Sequence, residues 1–133
     1  MLAVLDTNVL ISAFIKSKGN PADILRLIIE GKLPICQNPA ILTEYEGVAG
    51  RSKFASKIDP DKVRRFIDLL QKISISHTPS PSTIALPDED DRIFYDTAKE
   101  LGAYLITGNI RHYPNELFIL NPADFLTLFN ASK

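Results

Sequence analysis

The 133-residue chain has no tryptophan, one cysteine and two histidines. Cys36 therefore has no partner for an internal disulfide or a thiolate zinc site, and within its apolar run it reads as a small buried hydrophobe. His77 and His112 form no histidine-pair motif, which argues against zinc. No apolar stretch approaches the length that crosses a bilayer. Residues 1–15 lack a basic start and a small-residue cleavage site, so a cytoplasmic location without a membrane partner is the expectation. Internal repeats and low-complexity tails are missing too. Neither sign of charge dominates, with 15 Lys and Arg against 16 Asp and Glu.

The 45% hydrophobic and 23% charged composition is that of an ordinary globular chain, and the length fits one domain spanning 1–133. The charge is unevenly placed. Setting aside Asp6, Glu44, Asp88, Glu89, Asp90 and Asp91 leaves 10 acids against 15 bases. If a cation neutralises the acidic group, the remaining surface is mildly basic, which is compatible with a polyanionic substrate.

An Asn or Asp precedes Pro at Asn20-Pro21, Asn38-Pro39, Asp59-Pro60 and Asn121-Pro122. Each pair predicts a helix start, with the Asx side chain as N-cap and Pro in the first turn, where its missing N–H costs nothing. Helices are expected near 21–31, 39–49, 60–72 and 122–130, with two more near 8–15 and 90–101. Gly31 and Gly102 stand where helix C-caps belong. Short apolar runs between them, Leu2–Leu5, Leu33–Cys36, Ile73–Ser76, Tyr104–Thr107 and Leu117–Leu120, read as strands. The alternation predicts a three-layer α/β/α fold around a mostly parallel sheet of four to five strands. The segment His77–Pro87, with three prolines, is expected to be an extended loop.

Acids collect at the ends of these elements. Asp6 closes the first strand, where it could cap the next helix, act as a nucleophile or hold a metal, with Asn8 beside it to steady the carboxylate. Glu44 lies in the helix opened by Asn38, and Glu46 is its competitor. Asp88-Glu89-Asp90-Asp91 precedes the fifth helix; Asp88 is a good N-cap, and Asp91 three residues on would complete a capping arrangement. Capping accounts for two of these four acids. Their mutual repulsion calls for a counter-charge, and Mg²⁺ or Mn²⁺ suits carboxylate oxygens. Thr107, Gly108 and Asn109 end the fourth strand; Asn109 suits a turn, and Thr107 either finishes the strand or donates into a site. Arg111, His112 and Tyr113 follow in a loop suited to phosphate or base contact, or to an ordinary surface turn.

In order and spacing these residues resemble the PIN-domain family: Asp6-Thr7-Asn8-Val9-Leu10, Glu44, Asp91 followed by Ile93, Phe94 and Ala98, then Leu105-Ile106-Thr107-Gly108-Asn109. The resemblance covers nearly the whole chain and is strongest to the VapC-type toxin components of toxin–antitoxin pairs. It implies a parallel sheet between helices and Mg²⁺- or Mn²⁺-dependent cleavage of RNA, with Asp6, Glu44 and Asp91 as the main acids. It also implies a small antitoxin partner and a homodimer. Many members carry aspartate where this chain has Asn109. An amide can ligate a metal but brings no charge, so Asp88 or Asp90 would make up the charge and one metal is at least as consistent as two.

The expected reaction is phosphodiester hydrolysis at a site of Asp6, Glu44 and Asp91, with Asp88 and Asn109 as further ligands. Asn8 and Thr107 would position the site, and Arg92 or Arg111 would contact the scissile phosphate. One rival is a catalytically silent PIN-like module that binds RNA or protein. Another is a haloacid-dehalogenase-like phosphotransferase with Asp6 as nucleophile, but that chemistry wants a second Asp two residues on, where Asn8 stands.

Overall fold

The structure is a computed structural model describing residues 1–132. Among them, strands and helices follow one another as β1 (Ala3–Leu5), α1 (Thr7–Ile15), α2 (Asn20–Ile29), β2 (Cys36–Gln37), α3 (Pro39–Ala49), α4 (Pro60–Ile73), β3 (Ile75–Ser76), α5 (Arg92–Leu101), β4 (Tyr104–Ile106), β5 (Ile119–Leu120) and α6 (Pro122–Ala131). Short 3₁₀ turns occupy Ser52–Phe54, Glu89–Asp91 and Ile110–His112.

The strand pairings are parallel, with Val4 opposite Leu105, Leu105 opposite Ile119, and Cys36 opposite Ile75. A parallel bridge between Ala3 and Ile35 joins the two parts, and the Ala3 N–H donates to the Pro34 carbonyl at 3.1 Å. The resulting order is β3-β2-β1-β4-β5. All three residues of β1 are buried, as a central parallel strand covered on both faces requires. From β1 the chain builds the sheet outward through β2 and β3, then crosses to the other side for β4 and β5. The crevice at the carboxyl ends of β1 and β4 is therefore the topological switch point, where open α/β sheets bind ligands. Asp6 and Thr107 leave the sheet there, and the Asp6 N–H still reaches the Ile106 carbonyl at 2.9 Å.

The Asx-Pro pairs act as caps at three of four positions. Asn38, Asp59 and Asn121 accept from the N–H groups of Ile41, Asp61 and Asp124 at 3.0, 2.9 and 2.7 Å. Asn20 differs: it is the first helical residue, and the cap position falls to Gly19 at φ 117°, a conformation that favours glycine. Helix α4 runs through Ile73, one residue beyond the expected end, because Phe66, Ile67, Leu70 and Ile73 continue one helical face. The strand expected from Ile73 is consequently shortened to Ile75–Ser76, an exposed edge. Leu117, expected in the fifth strand, lies outside β5 and is fully exposed.

One apolar cluster runs through the molecule, with Tyr45, Phe94 and Phe125 among its largest fully buried side chains. Cys36 lies within it, and burial pushes its thiol up to about 11, so it is an inert packing residue. No helix among the described residues is long and apolar enough to cross a membrane.

The 77–87 segment has no regular structure and is strapped to α5. Glu100 takes the Ser80 N–H at 3.2 Å and pairs with His77, and Asp96 takes the Ser82 N–H at 2.9 Å. Arg92 reaches the carbonyls of Ser82 and Ile84 at 3.1 and 2.6 Å. These three residues stand four apart on one helical face. The strap delivers the chain to Asp88 on the cleft side of the sheet.

Candidate active site

Asp6 is 3% exposed and sits between two elements that begin and end around it. Its Oδ1 accepts the Thr7 N–H at 2.8 Å, so it does cap α1. Its Oδ2 accepts three donors: Thr107 Oγ1 at 2.8 Å, Tyr113 Oη at 2.9 Å and Asn8 Nδ2 at 3.3 Å. Asn8 also receives the Gly108 N–H on Oδ1 at 2.9 Å and thereby ties the ends of β1 and β4 together. A Cβ at Gly108 would lie 3.2 Å from that Asn8 oxygen, so glycine suits this close approach. Burial lifts the Asp6 pKa, and the four hydrogen bonds pull against that rise.

Three elements bring further acids to the same crevice. Glu44 arrives on α3, whose next residue, Tyr45, is fully buried and donates its hydroxyl to the Leu5 carbonyl at 2.5 Å. That bond fixes α3 against the end of β1. Glu46, the competitor, faces a separate small cavity with Pro60 and Arg64. Asp91 is largely buried at the start of α5, with Oδ2 3.3 Å from His112 Nδ1. Asp88 caps the Glu89–Asp91 turn by accepting the Asp90 N–H at 2.9 Å. Asp91 makes no such capping bond, so the expected second half of the capping arrangement does not form.

Asp6, Asn8, Glu44, Asp88, Asp90 and Asp91 line one open cleft of about 430 Å³. Their charges act on one another. The Asp91 carboxyl is pushed up to about 6, first by burial and then by Asp6 and Asp88, with His112 opposing. Glu44 is raised by burial, then by Asp90 and more weakly by Asp6 and Asp88, with Arg51 opposing. Such a set is stabilised by a cation placed among it.

Among the described residues no three His, Cys, Asp or Glu side chains close around a point as a ready cage. The donor chemistry still fits a hard divalent ion. The candidate ligands in the cleft are oxygens, the two histidines are engaged by Glu100 and Asp91, and Mg²⁺ characteristically takes few carboxylates while keeping several waters. The Thr7 hydroxyl, on another cleft-lining residue, is buried without a hydrogen-bond partner and adds one more unused oxygen.

Other residues singled out in the sequence stand elsewhere. Asn109 is exposed at the head of the Ile110–His112 turn and is not among the cleft-lining residues; its N–H donates to Thr107 Oγ1 at 3.0 Å and so supports Thr107. Arg92 also lies outside the lining. Its guanidinium is taken up by Glu89, at 2.8 Å from both Nε and Nη2, and by the 82–84 segment. Arg111 is exposed on its turn, away from the cleft lining. Tyr113, which the sequence offered for substrate contact, is instead buried against Asp6. The cations that do line the cleft are Arg51 and Lys53 on the turn after α3. Their signal in the sequence was the pair of basic residues just beyond the helix that carries Glu44.

Replacing Tyr113 with Phe removes one of three donors to a buried carboxylate oxygen while keeping the ring. The variant is expected to lose about 2 kcal/mol of unfolding free energy at pH 7.5, as for other hydrogen bonds to charged groups. Urea denaturation measures this, and an unchanged midpoint would show that the hydroxyl contributes nothing to holding Asp6.

Known proteins share the fold and the family. An uncharacterised protein of Methanocaldococcus jannaschii is 33% identical over 107 residues, covering 80% of this chain and 69% of that protein. A solved structure of VapBC2 from Rickettsia felis, bound to a DNA fragment from their promoter, contains a chain with the same fold. It matches with a TM-score of 0.54 at 18% identity, over 84% of this chain and 90% of that one. Residues 3–111 match the family model of the PIN domain. They contain the crevice, Asp6 and every acid that lines it, and the chain belongs to the PIN-domain family.

Proposed function

We propose that the chain is a divalent-cation-dependent endoribonuclease of VapC type. The observation that carries this reading is the convergence of Asp6, Glu44 and Asp91, with Asp88 and Asp90, on one cleft at the switch point of a PIN-domain sheet.

Asp6, Asp91 and Glu44 would hold Mg²⁺ or Mn²⁺, which supplies charge compensation at a phosphate oxygen and a more acidic water. Oδ2 of Asp6 already carries three donors, so Oδ1, which takes only the Thr7 N–H, is the oxygen with room for another partner. Thr107, Tyr113 and Asn8 keep that carboxylate from turning, which preorganises the site before substrate arrives. Glu44, half-buried on the cleft, would orient the attacking water. The Asp91 carboxylate, steadied by His112, faces the same space from the opposite helix.

The experiment is incubation of a single-stranded RNA with purified protein in Mn²⁺, in Mg²⁺ and in a chelator. Cleavage confined to the metal lanes is expected. Binding without cleavage in any lane would favour the silent RNA-binding module, the reading that Asn109 motivates. A phosphotransferase with Asp6 as nucleophile lacks its general acid, because Asn8 is committed to Asp6 and Gly108.

The reading includes a small antitoxin. Phe14, Leu25, Ile29, Phe66 and Leu69 line an apolar groove rimmed by Lys62 and Arg65, with Ile29 half exposed. Its chemistry fits an apolar segment carrying acidic residues. With a small protein encoded beside it as co-expressed partner, Ile29→Asp is expected to abolish co-purification. Retained co-purification would put the contact elsewhere. Self-association as a homodimer belongs to the same reading, and sedimentation velocity of the purified chain tests it.

A further inference from the structure

Arg51 and Lys53 line the same cleft as the acids, just beyond the C-terminal end of α3. Arg51 precedes the Ser52–Phe54 turn as its cap and Lys53 lies within it; both are exposed. The acids of the cleft come from α3, from the end of β1 and from the Asp88–Asp91 turn. Among the described residues neither cation makes an ion pair, so both are available to a ligand in the cleft. Arg51 is near enough to Glu44 to oppose the rise in its pKa without contacting it. Both cations line the open cleft without an ion pair to its acids.

Lys53 is also held in place. Its Nζ lies 5.1 Å from the centroid of the Phe54 ring, a cation–π arrangement, and Phe54 packs on the core while lining the cleft. A surface lysine free to wander has no such anchor. The cleft thus combines oxygens suited to a cation with two differently shaped cations that make no ion pair. A guanidinium presents a planar fork that matches phosphate, and an ammonium presents a point charge.

We propose that Arg51 and Lys53 hold the phosphates that flank the one being cut, so that the polynucleotide backbone passes from the acids to this turn. The proposal rests on the phosphodiesterase reading and adds the direction in which the strand leaves the site. It assigns to Arg51 and Lys53 a binding role that does not reach the scissile phosphate.

The test compares wild type with an Arg51→Ala/Lys53→Ala variant on two substrates in Mn²⁺. One is a ten-nucleotide single-stranded RNA; the other is a dinucleotide whose only phosphate is the scissile one. The variant is expected to raise KM for the ten-nucleotide RNA by roughly tenfold or more while kcat changes little. For the dinucleotide, neither constant should move. Binding of the fluorescein-labelled ten-nucleotide RNA, measured in an Asp6→Asn background, gives an independent readout. There the slope of log K against log salt should flatten by about 1.4, at about 0.7 per lost phosphate contact on a single strand. Arg51→Lys/Lys53→Arg should restore most of the slope, which separates lost charge from lost structure.

Equal KM and salt slope in variant and wild type, with cleavage intact, would overturn this inference and leave the nuclease reading standing. A KM effect of the same size on the dinucleotide would also overturn it, since the cations would then grip the scissile phosphate. If wild type binds but does not cut, and the salt slope still flattens in the variant, the nuclease reading fails and the phosphate-holding role of Arg51 and Lys53 stands.

Discussion

Asp6→Asn is expected to give a folded protein whose RNA cleavage in Mn²⁺ is at least roughly 10³-fold slower than wild type. Two features of the site produce so large an effect. Asp6 is the most enclosed acid of the cleft, and burial already works against its charge. Four donors nevertheless point at it, an arrangement that favours a carboxylate over an amide. An asparagine can place its oxygen where Oδ2 stood, but its NH₂ then faces the Thr7 N–H, where Oδ1 had been an acceptor. The charge that would hold a cation is gone and the remaining geometry is disturbed. Circular dichroism should match wild type, because the neighbouring apolar core is untouched. Activity retained within tenfold would remove Asp6 from the chemistry and with it the proposed site.

The second large effect is stabilisation by metal. A ligand that binds only the folded state at about 100 times its Kd contributes about 2.7 kcal/mol, which for a chain of this size raises Tm by roughly 10 °C. Wild type in Mn²⁺ is expected to show such a rise over the chelated protein, whereas Asp91→Asn should show almost none. The metal-free proteins should differ in the opposite sense. Asp91 has its carboxyl raised from 3.8 to about 6 in the folded state, so the folded protein binds this proton more tightly than the unfolded chain. Its contribution to stability is then lost as pH rises from about 4 through 6. At pH 7.5 the asparagine variant is freed of that penalty and should melt at the same temperature as chelated wild type or above it. Differential scanning fluorimetry across pH and Mn²⁺ reads both effects. A wild-type Tm indifferent to Mn²⁺, or an equal shift in Asp91→Asn, would contradict the assignment.

Much of this site was legible in the sequence because its signals are local. An apolar run ending in Asp6 and an Asx-Pro pair before α3 are patterns of a few residues, and each fixes an element end by steric and capping rules that need no distant partner. Since elements in α/β folds alternate regularly, Asp6, Glu44 and the Asp88–Asp91 run could be assigned to one side of the sheet.

The remainder depended on distant contacts. The Tyr113 hydroxyl meets Asp6 across more than a hundred residues of chain, and nothing next to Tyr113 marks it as buried. Arg92 looked available because its neighbours are acids, yet the strap that occupies it comes from the segment before the Glu89–Asp91 turn. Asn109 sits at the right strand end but on an exposed turn, so only its N–H is engaged, through Thr107. Arg51 caps a short 3₁₀ turn with no periodic pattern and Lys53 lies within it, after the helix that Tyr45 ties to β1. At the other end of the sheet, the same helical periodicity that made α4 readable carried it past the expected start of β3.

The divalent cation proposed for Asp6 and Asp91 would lie in the crevice between β1 and β4. Crystals of the protein grown or soaked in millimolar Mn²⁺ and measured at the manganese absorption edge test this placement most directly. The expected result is an anomalous difference peak within coordination distance of the Asp6 and Asp91 carboxylates, lost in Asp6→Asn crystals. An empty cleft at that concentration, or a peak confined to surface acids such as Glu89 or Glu100, would contradict it.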